Sequence, residues 1–167
     1  MTVLAQALVF FQCGGAICAL PHFAVAQIAA TPRLAVPPGL PRPLLGFANV
    51  GGRAVPVLDG RRLLGVGDTA APDIFDSHLL VLADRIEPAA LLVDRVLDVR
   101  PVPADAAMPV RAETTLNDCV AAEIEDAGGT VSLLAPDRIL FAAEKARLAD
   151  LRAAVQARLD EWSAVPA

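Results

Sequence analysis

The chain has 167 residues, a length that suits one compact domain or two small barrels sharing a core. Hydrophobic residues make up 55% of it and charged residues 20%, a composition that excludes a disordered chain. The net charge of −5 provides no basic field for a phosphate backbone, so we expect no nucleic-acid partner.

The first apolar segment, Val3–Leu20, has the composition of a targeting sequence but lacks its charge pattern. No lysine or arginine precedes Arg33, so the positive region of a signal peptide is missing. The Gly14-Gly15 pair also divides the segment, which is too short for a comfortable membrane span. We therefore predict two short strands around a glycine turn, no membrane insertion and a cytoplasmic location.

Four pairs of apolar runs of strand length follow one another, each pair separated by turn residues. The pairs are Ala7–Gln12 with Ala16–Leu20, Phe47–Val50 with Ala54–Leu58, His78–Ala83 with Ala89–Val93, and Val120–Glu125 with Thr130–Leu134. No helix-length segment separates them, so the spacing favours an antiparallel sandwich or barrel pair over a parallel sheet. Ala90–Val93 is apolar on both faces and needs cover on each side, as between two packed barrels. The residues expected to be largely buried include Val57, Leu92, Val93 and Leu133.

Three polar or proline-rich segments fall outside this pattern and are predicted to be connections. Thr31–Pro43 contains five prolines and is expected to be extended. Gly65–Ser77 begins with a Gly-x-Gly sequence, a weak phosphate-binding signal that an ordinary turn explains better, since no lysine accompanies it. Arg100–Asn117 is predicted to be a long loop.

The cysteines and histidines do not form a recognisable metal or disulfide pattern. Cys13, Cys18 and Cys119 are odd in number, form no C-x-x-C pair and lie among apolar neighbours. We predict buried, inert thiols. With only two histidines in the chain, neither a metal nor another cofactor is expected.

The C-terminal region changes to a helical period. Apolar residues three and four apart indicate one face of a helix from about Ala142 to Trp162, preceded by a short helix at Pro136–Leu140. This face consists of Leu148, Leu151, Val155, Leu159 and Trp162, and its first four residues form the stripe that must be covered. We expect it to lie over the chain's own barrel; a helix-to-helix partner contact with weak self-association is the lesser alternative.

The central hairpin carries a pattern formed by Gly46, Asn49, Gly52, Pro56, Val57 and Asp59. This pattern resembles that of the CheW family. Three further segments are similar to the family in order and spacing: Leu8–Phe10 with Ala19–Pro21 and then a short helix containing Val25 and Ile28, Leu91–Val96, and Leu133–Leu140. Together they cover about residues 8 to 140.

This resemblance implies two five-stranded SH3-like barrels on a common core, with residues 1–141 as the CheW-like domain and 142–167 as the helix and tail. It implies a non-catalytic adaptor that binds the regulatory domain of a CheA-type histidine kinase and the cytoplasmic tip of a chemoreceptor. A divergent CheW-like module of another kinase pathway, serving motility or surface behaviour, is the first alternative. A small enzyme is the remote one, because few polar groups are available to converge on a pocket.

The candidate protein-binding residues are Asn49, Gly51, Gly52 and Arg53. The family usually has an arginine, linked to partner coupling, where this chain has Gly51, and Arg53 is the candidate to replace it. From the residues themselves, Gly52 is expected at a positive-φ turn position, and Asn49 and Asp59 are expected to accept local backbone hydrogen bonds. Asp94 is expected to be a structural cap rather than a catalytic carboxylate.

Overall fold

The computed structural model describes residues 5–67, 73–84, 87–110, 119–140 and 142–163. Its strands are β1 (Ala5–Cys13), β2 (Ala16–Pro21), β3 (Val25–Ala30), β4 (Leu44–Val50), β5 (Arg53–Asp59), β6 (His78–Leu82), β7 (Ala90–Val93), β8 (Arg95–Pro103), β9 (Ala107–Pro109), β10 (Val120–Asp126) and β11 (Gly129–Leu134). The α-helices are α1 (Gly60–Leu64) and α2 (Ala142–Ser163), and 3₁₀ turns lie at His22–Ala24, Ala104–Ala106 and Pro136–Arg138.

The strands form two sheets that correspond to the two predicted barrels. One has the order β8-β1-β2-β11-β10-β9 and the other β3-β6-β7-β5-β4. Each sheet contains one parallel contact, β11 with β2 and β5 with β7, and its other neighbours are antiparallel. The mainly β fold is therefore confirmed, as are all four hairpins, although the first sheet has six strands and not five.

Alternating side chains divide the core into two barrel interiors and one shared layer. Along β5, Val55 and Val57 join the cluster inside the second barrel, whereas Ala54 and Leu58 join the shared cluster. β7 divides in the same way, since successive side chains of a strand point to opposite faces. This arrangement explains the doubly apolar strands. Of the four residues expected to be buried, Val57, Leu92 and Val93 are fully buried and Leu133 is partly buried.

The short helix expected around Val25 and Ile28 is wrong. These residues lie in β3, where Val25 is opposite Leu82 and Ile28 is opposite Leu80 of β6. The helical turn is limited to His22–Ala24. Residues with β-branched side chains, such as Val25 and Ile28, fit a pleated surface. Because β6 lies alongside as a partner strand, the segment pairs with it and does not form the predicted helix.

The loop prediction for Arg100–Asn117 is also wrong in its described part. β8 continues to Pro103, and β9 follows at Ala107–Pro109; residues 111–118 lie outside the described ranges. Because β8 is the outer strand of its sheet, its prolines need no second strand neighbour. Arg100 holds the extension in place by packing 4.2 Å above the Phe10 ring and pairing with Asp126 at 2.9 Å.

One of the two described α-helices was not predicted, and the other agrees closely with its predicted bounds. α1 was not predicted: the Asp59 carboxylate caps it by accepting the Arg61 N–H at 3.1 Å, and Gly65 ends it in the left-handed conformation. α2 agrees with its predicted bounds to within one residue at its C-terminus. The side chains that pack on the shared core are Leu148, Leu151, Val155 and Leu159. Trp162, at the end of the same helix face, is 75% exposed.

Candidate protein-docking site

The β4–β5 turn has the backbone geometry that its two glycines suggest. Gly51 has φ 59° and Gly52 has φ 83°, both in the left-handed region. Such a two-residue turn matches the twist of the flanking strands, but it penalises side chains with a Cβ. A Cβ at Gly51 would meet no atom within 4 Å, so any cost of a larger residue there lies in the backbone conformation alone.

Asn49 closes this turn. Its Oδ1 accepts the backbone N–H of Gly52 at 2.9 Å, the local role expected from the sequence. Asn49 is exposed, as are Gly51, Gly52 and Arg53, so the four candidate residues form one continuous exposed surface. We call this surface the hairpin tip.

Arg53 begins β5 and lies opposite Val50 at the rim of a depression of about 390 Å³. Val55 and Val81 contribute apolar walls to the depression, and Asp84 contributes a carboxylate. An arginine and a carboxylate beside apolar walls form a surface on which a partner can find both charge and hydrophobic contact.

Helix α2 supports the hairpin tip from behind. Gln156 Oε1 accepts the Ala54 N–H at 2.8 Å, and its Nε2 donates to the Gly52 carbonyl at 3.2 Å. Arg152 Nε donates to the Ala54 carbonyl at 3.0 Å. β7 pairs with β5 only from Val57 onward, so these two side chains take the place of a strand neighbour along the first part of β5.

The sequence analysis missed Arg152 and Gln156. Their spacing of four residues puts them on one helix face, next to the apolar stripe, which is the only signal that the sequence offers. Nothing in the sequence indicates that their partner is a backbone segment about a hundred residues earlier.

A second concave surface, of about 280 Å³, lies where α2 meets both barrels. Its apolar walls include Phe23, Pro56, Leu82, Pro136 and Leu148. We call it the inter-barrel groove. Phe23 is 72% exposed, which leaves a large aromatic side chain available at its edge. The sequence analysis missed this groove as well, because these five wall residues come from five separate elements.

Asp94 has a structural role, although its partner is distant in sequence. Its Oδ2 accepts the Gly14 N–H at 2.8 Å, and its Oδ1 lies 4.0 Å from Arg61 Nε. Arg61 Nε also lies 4.0 Å from the buried Asp59 carboxylate. The cluster therefore links the β1–β2 turn, α1 and the β7–β8 junction.

The cysteines are buried, as predicted. Burial raises the pKa of Cys18 to about 12 and also raises the pKa of Cys13, so both thiols stay protonated at neutral pH. Across the part of the chain that the structure describes, no three His, Cys, Asp or Glu side chains converge as metal ligands would. None of the helices within the described ranges has the length and apolarity needed to cross a membrane.

Two sheets around a shared core, with an exposed hairpin tip and a groove between the barrels, define a double-barrel module. The model of the CheW-like domain family matches residues 7–144, and the chain belongs to that family. CheW-like domains form a scaffold family without catalytic activity of their own.

The fold is similar to the crystal structure of the scaffolding protein TtCheW from Thermoanaerobacter tengcongensis. The two chains superpose with a TM-score of 0.69 at 21% sequence identity, over 79% of this chain and 85% of that one. The search of curated proteins found no match.

Proposed function

We propose that this protein is a non-catalytic cytoplasmic adaptor that couples chemoreceptors to a CheA-type histidine kinase. The observation that carries the proposal is the CheW-like domain across residues 7–144, in a family of scaffolds. Residues 1–141 form the docking domain, and the segment 142–167 supplies the helix that covers it. The partners are the regulatory domain of the kinase and the cytoplasmic tip of a receptor.

The hairpin tip is the proposed docking site, and Arg53 is its central residue. Arg53 is exposed beside apolar walls, and arginine is among the residues that most often dominate binding energy at protein interfaces. Asn49, Gly51 and Gly52 set the shape of the turn that presents it. Because Asn49 uses its side-chain oxygen within the turn, its contribution is mainly to position Arg53.

Replacing Arg53 by alanine tests this assignment. Affinity for the kinase regulatory domain or the receptor tip should fall by about 1–3 kcal/mol, while the melting temperature stays nearly unchanged, because an exposed side chain contributes little to folding. Isothermal titration against both fragments measures the change. Arg95→Ala, at an exposed arginine on β8 in the other sheet, is the matched control.

The titrations test the role of Arg53 and the adaptor function separately. Unchanged affinity for both partners in Arg53→Ala would remove Arg53 from the site, and failure of the wild type to bind either partner would exclude the adaptor role for those partners. In Gly51→Arg, binding should become tighter if the missing arginine alone weakens coupling. That substitution should also lower stability by about 1–2 kcal/mol through the left-handed backbone.

A further inference from the structure

The side chain of His78 connects a strand of one barrel to a strand of the other. His78 begins β6 of the second sheet, and its Nδ1 accepts the backbone N–H of Val96 in β8 at 2.8 Å. Val96 lies two residues after Asp94, where the chain leaves β7 for β8 and passes from one sheet to the other. The hydrogen bond therefore lies at the crossover between the barrels.

The alternation of side chains along β6 directs the His78 ring toward the layer that the two barrels share. Leu79 and Val81 belong to the cluster inside the second barrel, whereas Leu80 belongs to the shared cluster. Since side chains two residues apart in a strand lie on one face, His78 is on the face of Leu80. The residue is partly buried there, and its backbone is held on both sides by pairing with β3 and β7.

The bond to Val96 fixes the protonation state of the His78 ring. Neutral imidazole has one N–H donor and one nitrogen lone pair, so an Nδ1 that accepts a hydrogen bond leaves the ring proton on Nε2. A second proton binds at Nδ1 and uses the same lone pair, because imidazolium has two donors and no acceptor. Histidine is also the side chain that ordinarily changes charge between about pH 5 and 8.

The charged groups nearest to His78 along the chain and along β8 are of both signs. The strands β1, β3 and β7 contain no charged residue. Asp76 precedes His78 in its own segment and is exposed. Asp94 and Arg95 immediately precede Val96; the Asp94 carboxylate is bonded within its own cluster, and Arg95 is exposed. The hydrogen bond to Val96 is therefore the contact that distinguishes the neutral ring from the protonated one.

We propose that the His78–Val96 bond is a proton-sensitive link between the two barrels, closed when the ring is neutral and open when it is protonated. A proton taken from solvent at Nδ1 replaces the acceptor with a second donor, which then faces the Val96 N–H. The bond is lost, and the ring turns away from β8. Because β8 is the outer strand of its sheet, no further strand within the described ranges takes over this N–H. This link is separate from the hairpin tip and does not depend on the adaptor function.

NMR of the whole protein between about pH 8 and pH 5 tests the link. At the upper end, the nitrogen-15 signals of His78 should show the tautomer with its proton on Nε2. As the pH falls, the Val96 amide signal should move with the same midpoint as the His78 ring. At the lower end, hydrogen exchange at Val96 should be about two- to tenfold faster than in His78→Asn at the same pH, the effect of one lost hydrogen bond.

His78→Asn keeps the link closed at every pH, because an asparagine oxygen attached to the same Cγ accepts without changing charge. Its Val96 signal should stay constant across the titration. His78→Leu removes the acceptor and should give fast exchange at both ends of the range. His22→Asn is the matched control, since His22 is the other histidine of the chain and is exposed, and it should leave the Val96 titration unchanged.

Three results would overturn the proposal. The first is a neutral His78 ring with its proton on Nδ1. The second is a Val96 signal that does not follow the ring. The third is a Val96 titration that His78→Asn and His22→Asn alter equally.

Discussion

Replacing Gln156 by leucine removes the helix side chain that completes β5 behind the hairpin tip. The Oε1 of Gln156 accepts the N–H of Ala54, a residue that is only 1% exposed. Its Nε2 donates to the exposed carbonyl of Gly52 and to Asp160. Leucine has a similar size but no polar atom, so the Ala54 N–H would lose its acceptor in a place that water reaches poorly.

The Oε1 acceptor and the Nε2 donor of Gln156 should contribute unequally to stability. A buried N–H without a partner costs about 1–3 kcal/mol, which for a chain of this length lowers the melting temperature by roughly 3–8 °C. Gln156→Glu keeps the acceptor for Ala54 and loses only the exposed donor. The new charge beside Asp160 adds about 0.2–0.5 kcal/mol of repulsion. Gln156→Glu should therefore be more stable than Gln156→Leu, although leucine is apolar and glutamate is charged.

Urea unfolding of both variants measures the difference, with Arg158→Leu on the exposed side of the same helix as the control. We expect the leucine variant at position 156 to be the least stable of the three. If Gln156→Leu is as stable as Gln156→Glu, the bond to Ala54 does not contribute and the role assigned to α2 is refuted.

Three further predictions concern packing and titration. Gly60→Ala should cost about 1–3 kcal/mol in urea unfolding, because a Cβ there would lie 2.7 Å from a β7 carbonyl oxygen; Gly128→Ala, with no atom within 4 Å, should change stability by less than about 0.5 kcal/mol. Leu151→Glu should lower the melting temperature measured by calorimetry, and light scattering should show a monomer. If the substitution instead converts a dimer into an equally stable monomer, α2 covers a second copy of the chain. Because folding raises the thiol pKa values of Cys13 and Cys18, the free energy of unfolding should fall as pH rises from about 9 to 12, by up to about 1.4 kcal/mol per pH unit for each thiol. With no tyrosine and a single lysine in the chain, few other groups titrate in that range. If the stability of the variant that combines Cys13→Ala and Cys18→Ala falls equally steeply with pH, the two thiols are not the cause.

The sequence by itself determined the elements whose signals are local. Glycine pairs such as Gly51-Gly52 mark turns because they accept positive φ, so the hairpins were predictable together with the role of Asn49 in closing one of them. The doubly apolar strands indicated cover on both faces, and the helical spacing of apolar residues gave α2 nearly to its last residue. The order of the CheW-like motifs identified the family. Each of these signals depends on neighbours in sequence or on a repeat period.

Only the tertiary structure decided the contacts between distant segments. Val25–Ala30 became a strand because β6 lies beside it, and β8 continued past its prolines because it occupies a sheet edge. Gln156 reaches Ala54 across 102 residues, and Asp94 reaches Gly14 across 80. A hydrogen-bonding side chain shows in the sequence that it needs a partner but not which one, because the partner's position depends on how all the intervening strands pair.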